Sequence, residues 1–141
     1  MSVQPLREQY VLISATGRDP LELTNVICRA CQENRCSMIS SRLTRHGQYS
    51  VLIVQAGGTW DALARLEGSL PVLAKRHDLQ LTHTRSEDDA ARAQALPYIV
   101  YVSALYRPDI LAELCQFFAD HQIGLENITY DTYQAPQTDT T

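Results

Sequence analysis

Residues 10–44 constrain the fold more than any other stretch, because their pattern predicts a strand, a polar loop, an amphipathic helix and a second strand. Residues 10–15 form an aromatic, branched and small-residue run that is typical of a buried strand. Apolar residues then recur on one helical face, at Leu23, Val26, Ile27, Ala30 and Cys31. A loop that leads into a helix N-terminus is a place where small anions or amino acids can dock.

The loop between the first strand and the first helix carries recognisable turn and capping residues. Gly17 permits an unusual backbone angle, and Asp19 is placed to cap the helix N-terminus. Pro20 suits the first turn of a helix, because its missing N–H group is not needed there.

The next residues complete a six-element module. A strand over 37–44 and a strand over 49–56 are joined by the turn at His46 and Gly47. Thr59 is placed to cap a second helix, which we expect to kink or break near Pro71. Alternating residues 79–84 predict a final edge strand. The order is βαββαβ, the α+β ferredoxin-like arrangement with helices on one face of an antiparallel sheet.

The strand–loop–helix pattern then returns about 88 residues later. Residues 98–104 resemble residues 10–15, an apolar helical face follows, and residues 125–133 predict a strand. The second copy supplies only βαβ. We therefore predict a first module over 1–85, a polar linker over 86–97 and a second, truncated module over 98–141.

Composition excludes several classes of function. The 141 residues are 45% apolar, which is enough for a core without disulfides, and the formal net charge is −4. The sequence has no long basic run, which argues against direct nucleic-acid binding. It also has no apolar stretch near the roughly 20 residues of a membrane span. These features predict a cytoplasmic protein.

Candidate reactive residues do not converge on a catalytic or metal-binding pattern. Cys28, Cys31 and Cys36 lie close in sequence, which raises a metal or redox site as an alternative. Since Cys28 and Cys31 fall within a helix and no second pair has zinc-site spacing, we favour a structural role. The histidines pair with no nucleophile in the sequence. We expect no enzyme activity, no cofactor and no metal.

Two opening strand–loop–helix units in tandem resemble the ACT family of small-molecule regulatory domains, and within it the glycine cleavage system transcriptional repressor family. The resemblance is carried by an ordered set of residues: Gly17, Arg18, Asp19, Asn25, Ser41, Arg42, Leu43, Gly57, Gly58, Thr59, Trp60, Ser69, Leu70 and Pro71. It implies a cytoplasmic regulator that does not bind DNA itself. Such a regulator would antagonise a LysR-type activator of glycine catabolism, with glycine as the effector. An alternative is a regulatory or accessory ACT-type subunit of an amino-acid metabolic enzyme.

The resemblance also implies where an effector would bind. ACT domains typically carry a glycine after the Arg-Pro of the ligand loop, whereas Glu22 and Asp109 stand at that place here. A carboxylate there would repel the carboxylate of an amino acid. The expected site comprises the two loops and the strands opposite them: Gly17, Arg18, Asp19, Pro20, Leu21, Ser37, Met38, Ile39, Leu105, Tyr106, Arg107, Pro108, Asp109, Glu126 and Asn127. The unpaired strand edges of the second module predict a homodimer.

Overall fold

The computed structural model describes residues 9–87 and 96–133. The chain divides between residues 95 and 96 into two compact units. Within the described residues, the first unit contains six elements and the second contains one. In chain order they are β1 (Gln9–Gly17), α1 (Pro20–Glu33), β2 (Ser37–His46), β3 (Tyr49–Gly58), α2 (Trp60–His77), β4 (Gln80–Ser86) and α3 (Ile110–Asp120).

The first unit folds around a four-stranded sheet with the order β2-β3-β1-β4. All three neighbouring pairs are antiparallel, and β1 lies between β3 and β4. The expected βαββαβ order and ferredoxin-like α+β architecture are confirmed for this unit. Because β1 is paired on both sides, its backbone hydrogen bonds are satisfied within the sheet, as a buried strand requires.

One face of the sheet and both helices form the core. Alternate residues of β1 and β3 are buried on this face, including Val11, Ile13, Leu52 and Val54. The helical face predicted for α1 is confirmed, since all five of its residues are buried. From α2 the core receives Ala62, Leu63, Leu66 and Leu70. Each fully buried leucine, isoleucine or valine side chain contributes about 1.5–3 kcal/mol by leaving water.

The opposite face of the sheet carries no helix of this unit. Leu12 and Ile53, on the two central strands, remain 43% and 44% exposed there. The edge strand β2 is exposed at every position, and a bulge between Met38 and Ser40 interrupts its register with β3. Such bulges commonly interrupt pairing at sheet edges.

Of the kink or break expected near Pro71, the break is wrong. The helix α2 runs without interruption from Trp60 to His77, and Pro71 is exposed. Proline removes one backbone hydrogen bond and disfavours a helix interior. Buried leucines at positions 63, 66 and 70 lie before it, and Leu73 packs against the same core. This tertiary packing outweighs the local preference.

The second unit differs from its predicted βαβ pattern. Between residues 96 and 133 the only regular element is α3, and neither 98–104 nor 125–133 forms a strand. The first unit supplies the physical reason. There β1 and β2 do not touch, because β3 lies between them. A βαβ segment alone therefore offers neither strand a hydrogen-bonding partner. Residues 134–141, the end of the predicted second module, lie outside the described residues, as do residues 88–95 of the predicted linker.

Candidate functional site

Gly17, which precedes the loop between β1 and α1, packs closely against the side chains of Leu79 and Leu23. Gly17 does not use the unusual backbone angle that a glycine permits, because Gly47 is the glycine with positive φ in the described ranges. Gly17 is buried, and a Cβ atom placed on it would lie 2.6 Å from Cδ2 of Leu79. A side chain at position 17 would therefore need the end of the Leu79 side chain to shift.

The N-terminus of α1 satisfies its own backbone donors. Oδ1 of Asp19 accepts hydrogen bonds from the backbone N–H groups of Leu21 and Glu22, at 3.0 and 3.4 Å. The backbone oxygen of Asp19 accepts from the N–H of Leu23 at 3.0 Å. Pro20 has no N–H group. The predicted cap is thus confirmed, and it uses the amides that would otherwise receive an external carboxylate.

The side chains around this first loop form two pairs. Nδ1 of His77 lies 3.0 Å from Oε1 of Glu22. The guanidinium of Arg18 donates to the Tyr49 hydroxyl at 3.5 Å, and this hydrogen bond raises the pKa of Arg18. A ligand carboxylate at the helix start would meet the carboxylates of Asp19 and Glu22. The first loop consequently has the features of a capped structural turn.

Three predicted residues do not meet this loop. Gly17 at the end of β1 pairs with Ser50, whereas Ser37 at the start of β2 pairs with Gly57 at the far end of β3. Met38 pairs with Ala56, and Ile39 occupies the bulge. Since β1 and β2 run parallel, the end of one strand lies beside the end of the other and far from its start.

In the second unit, the loop before α3 lies beside the end of the segment 125–133. A cleft of about 700 Å³ is lined by Tyr106, Pro108, Leu111, Tyr130, Thr132 and Tyr133. Tyr106 and Pro108 were expected there. Leu105, Arg107, Asp109, Glu126 and Asn127 are not among the lining residues. Tyr130 and Thr132 lie near the end of the predicted strand 125–133. The rule that parallel strands place their ends side by side could have identified them from the sequence.

The polar side chains of the loop before α3 make fewer hydrogen bonds to the helix N-terminus than those of the loop before α1. The guanidinium of Arg107 lies 2.9 Å from a carboxylate oxygen of Glu113, and both side chains are more than half exposed. Asp109 is the N-cap residue of α3 but makes no side-chain cap hydrogen bond. An exposed ion pair of this kind contributes little energy and is easily exchanged for another partner.

The difference between the two caps leads to a direct prediction. Asp19→Ala should lower the free energy of unfolding of the first unit by about 0.5–2 kcal/mol, because two backbone donors of α1 lose their acceptor. Asp109→Ala is the matched control, and it should change the helicity of the full chain very little. Urea unfolding followed by the fluorescence of Trp60 and by circular dichroism measures both effects. Equal losses for the two variants would contradict this assignment.

A third polar cluster joins α2 to β4 and was not expected from the sequence. Glu67 accepts from Nε of Arg85 at 2.7 Å, and its other oxygen lies 3.0 Å from Nδ1 of His83. The Arg85 guanidinium also lies 5.8 Å from the centre of the Trp60 ring. No described hydrogen bond joins His83 to a serine, threonine or cysteine. The cluster therefore fixes the edge strand to the helix.

Cys31, on α1, and Cys36, which follows this helix, are buried packing residues in the structure. Burial raises the pKa of the Cys31 thiol to about 11, and burial also raises the pKa of Cys36. The thiolate is the reactive form, so both groups are poor nucleophiles at neutral pH. Across residues 9–87 and 96–133, no group of three or more His, Cys, Asp or Glu side chains is arranged to hold a metal ion.

Iodoacetamide labelling tests this reading of the cysteines. At pH 8 the exposed Cys115 should react at least about 100-fold faster than Cys31, which is buried and almost entirely protonated. Because the folded pKa of Cys31 lies above its ordinary value of 9.0, its contribution to stability is present below pH 9 and is lost as pH rises toward 11. Peptide mass spectrometry after timed quenching gives each rate. Similar rates in the native protein would exclude a core position for Cys31.

None of the helices in the described ranges combines the length and the apolar character needed to cross a lipid bilayer.

The chain is similar in sequence to known bacterial proteins. Two curated relatives, from Escherichia coli (strain K12) and Shigella flexneri, are glycine cleavage system transcriptional repressors. Each is 23% identical over 128 residues, which cover 91% of this chain and 67% of the relative.

A solved structure shares the fold. The crystal structure of a protein assigned as a glycine cleavage system transcriptional repressor superposes with a TM-score of 0.66 at 23% identity, over 86% of this chain and 71% of that one. The ACT domain model matches residues 9–84, which span β1 to β4 of the first unit. The chain therefore belongs to the ACT domain family.

Proposed function

We propose that this protein is a cytoplasmic regulator of transcription that controls glycine cleavage through contact with another protein, without binding DNA itself. The observation that carries the proposal is the similarity to the repressors, which extends over 91% of the chain and beyond the matched ACT domain. The acidic net charge of −4 and the lack of a basic run support action through a protein partner. A LysR-type activator is the partner that the resemblance implies.

The proposal includes a tandem organisation, with a first module over 1–85, a linker over 86–97 and a second module over 98–141. The repeat of about 88 residues supports it, since the apolar face of α3 recurs at the positions of the α1 face. The protein would act as a homodimer.

The effector in this proposal is a small amino acid such as glycine, bound at the second loop. The first loop is disfavoured because Asp19 occupies the amides of α1 and Glu22 adds a second carboxylate. At the second loop, Arg107 can leave Glu113 and pair with the ligand carboxylate. Asn127 could hold the ammonium group by a hydrogen bond.

A reporter assay tests the regulatory role. The chain is expressed in an Escherichia coli strain that lacks its own glycine cleavage repressor and carries a reporter under the glycine cleavage promoter. Restored repression, relieved by glycine, is the expected result. Affinity capture from the same cells should recover a LysR-type activator. Recovery of a biosynthetic enzyme, with no change in the reporter, would instead favour the regulatory-subunit alternative.

Calorimetry with glycine, serine and other amino acids tests the sensing role separately. Arg107→Ala should weaken effector binding at least about tenfold, corresponding to the roughly 1.5–3 kcal/mol of a charge-assisted hydrogen bond. Arg76→Ala is the matched control, because Arg76 is an exposed arginine in the last turn of α2. If the unmodified protein shows no heat of binding with any of these amino acids, the proposed amino-acid sensing is contradicted, and the proposed contact with a protein partner is unaffected.

A further inference from the structure

The two edge strands of the sheet in the first unit differ in how they are held. The edge strand β4 is tied to α2 through Glu67, which contacts both His83 and Arg85. The other edge strand, β2, is exposed at every position, and among the described residues its one neighbour is β3. The described side-chain hydrogen bonds of β2 stay within its own hairpin. The strand β2 therefore presents an accessible row of backbone N–H and C=O groups.

The register of β2 with β3 shows how much of this edge is regular. The bulge between Met38 and Ser40 interrupts the pairing, which then continues without a shift to His46. In an antiparallel pair, alternate residues direct their backbone groups toward the neighbouring strand, so the residues between them direct theirs outward. Residues 40–46 can therefore hydrogen-bond an extended segment of about seven residues, and the addition of such a strand is a known mode of peptide recognition.

The side chains of β2 carry positive charge on both faces of the sheet. Arg42 pairs with Ile53 on the open face, whereas Arg45 pairs with the buried Ser50 on the face that carries the helices. Residues 37–46 contain no aspartate or glutamate, although acidic residues outnumber lysines and arginines in the chain by 16 to 12. Within the described ranges, neither arginine is joined to a carboxylate. Acidic side chains on an added strand would gain cross-strand attraction from both.

An apolar side chain lies between the two arginines. Leu43 pairs with the buried Leu52, so it belongs to the helix face, yet it is 44% exposed. Met38 lies on the same face and is 37% exposed, so the helices leave this face of β2 open. An apolar residue opposite Leu43 would remove apolar surface of both side chains from water.

We propose that β2 binds an extended acidic segment of a partner protein as an additional strand, which rests on the proposed contact with a protein partner. Antiparallel pairing is slightly more stable per residue than parallel pairing. In that orientation, the residues that face positions 45, 44, 43 and 42 follow one another along the segment. The matching pattern is acidic, polar, apolar, acidic, and its two carboxylates lie on opposite faces, as the two arginines do. The β2 strand of a second copy has no carboxylate and does not match this pattern.

A synthetic peptide tests the proposal on the full chain. The probe is Thr-Glu-Thr-Val-Glu-Thr-Val with neutral ends, in which strand-forming residues carry the pattern, and the control peptide has lysine in place of both glutamates. In NMR titrations at low ionic strength, the acidic probe should bind at least about tenfold more tightly than the control. Amide hydrogen exchange should show that alternate amides of residues 40–46 become protected, while those of β4 do not change.

Reversal of charge on β2 provides the matched variant. Arg42→Glu combined with Arg45→Glu should invert the preference, so that the lysine peptide binds about tenfold more tightly than the acidic one. A misfolded variant would lose binding to both peptides, whereas inversion requires an intact edge. Arg65→Glu combined with Arg76→Glu changes the net charge equally through two exposed arginines of α2 and should keep the preference for the acidic probe.

The proposal is overturned if neither peptide binds, if both bind equally, or if protection appears outside residues 40–46. It is also overturned if alternate amides of 40–46 are protected in the free chain and lose that protection on dilution, because a second copy would then occupy the edge. The reporter assay gives an independent result. A failed reporter with selective peptide binding would contradict the regulatory role alone, and a restored reporter without selective binding would contradict the β2 site alone.

Discussion

Leu23→Ala should lower the free energy of unfolding of the first unit by about 2–5 kcal/mol. Leu23 is fully buried on α1, and its side chain belongs to the single core formed by the sheet and both helices. Truncation removes the transfer free energy of the lost carbon atoms and leaves a cavity that neighbouring helices and strands fill only in part. Because many domains of this size are stabilised by only 5–15 kcal/mol, such a loss brings the module close to unfolding at 37 °C.

Leu21→Ala is the matched control, since the same substitution is made two residues earlier on the same helix. Leu21 is 79% exposed, and a change there should stay within about 0.5 kcal/mol. Urea unfolding is monitored through Trp60, the only tryptophan of the chain. The midpoints of the two variants can be compared directly if the m-value, the dependence of the free energy of unfolding on urea concentration, is the same for both. Comparable midpoints for Leu23→Ala and Leu21→Ala would show that the core does not lie where we describe it.

Gly17→Ala should destabilise the same unit by about 1–3 kcal/mol, as overpacking does in a filled core. The added methyl group would lie 2.6 Å from Cδ2 of Leu79, so the end of this side chain must shift within its packing against the core. No strain in backbone angle contributes, because Gly17 is not among the residues with positive φ.

Gly68→Ala provides a control of opposite sign. Gly68 lies within α2, and a Cβ atom there meets no atom within 4 Å. Alanine should therefore stabilise the helix by about 0.5–1 kcal/mol, through its higher helix propensity and the reduced entropy of the unfolded chain. Thermal unfolding of both variants gives the two signs in one experiment. A stabilising Gly17→Ala would mean that Leu79 gives way at little cost.

The sequence alone predicts most of the first unit, because its signals are local. A continuous apolar run gives the first strand and alternating residues give the last. The spacing of Leu23, Val26 and Ile27 gives the buried face of α1, and Asp19 and Thr59 cap the helices as expected. Pro71 is the exception. Its local effect competes with leucines on both sides that pack into the core, and sequence pattern does not weigh these two energies.

The candidate site was harder to predict, because its geometry depends on strand direction and on contacts between distant residues. Parallel β1 and β2 separate Gly17 from Ser37 by the length of the sheet. The pair between Glu22 and His77 joins residues 55 positions apart, and no local pattern signals it. In the second unit, the strand predicted at 98–104 is wrong, because a strand forms only where a neighbour supplies hydrogen bonds and the local pattern does not show whether one is present.

The position of β4 beside β1 has a consequence for synthesis of the chain. Tyr10, near the start of the module, pairs with Ser86, at its end. On a ribosome, β1, β3 and both helices can assemble before β4 has been synthesised. Until then the edge of β1 that will pair with β4 has no hydrogen-bonding partner. At about 5–20 residues per second, the final ten residues take roughly 0.5–2 s to emerge. During that interval a central apolar strand of the nascent chain has an open edge, and a pause in translation there would favour aggregation.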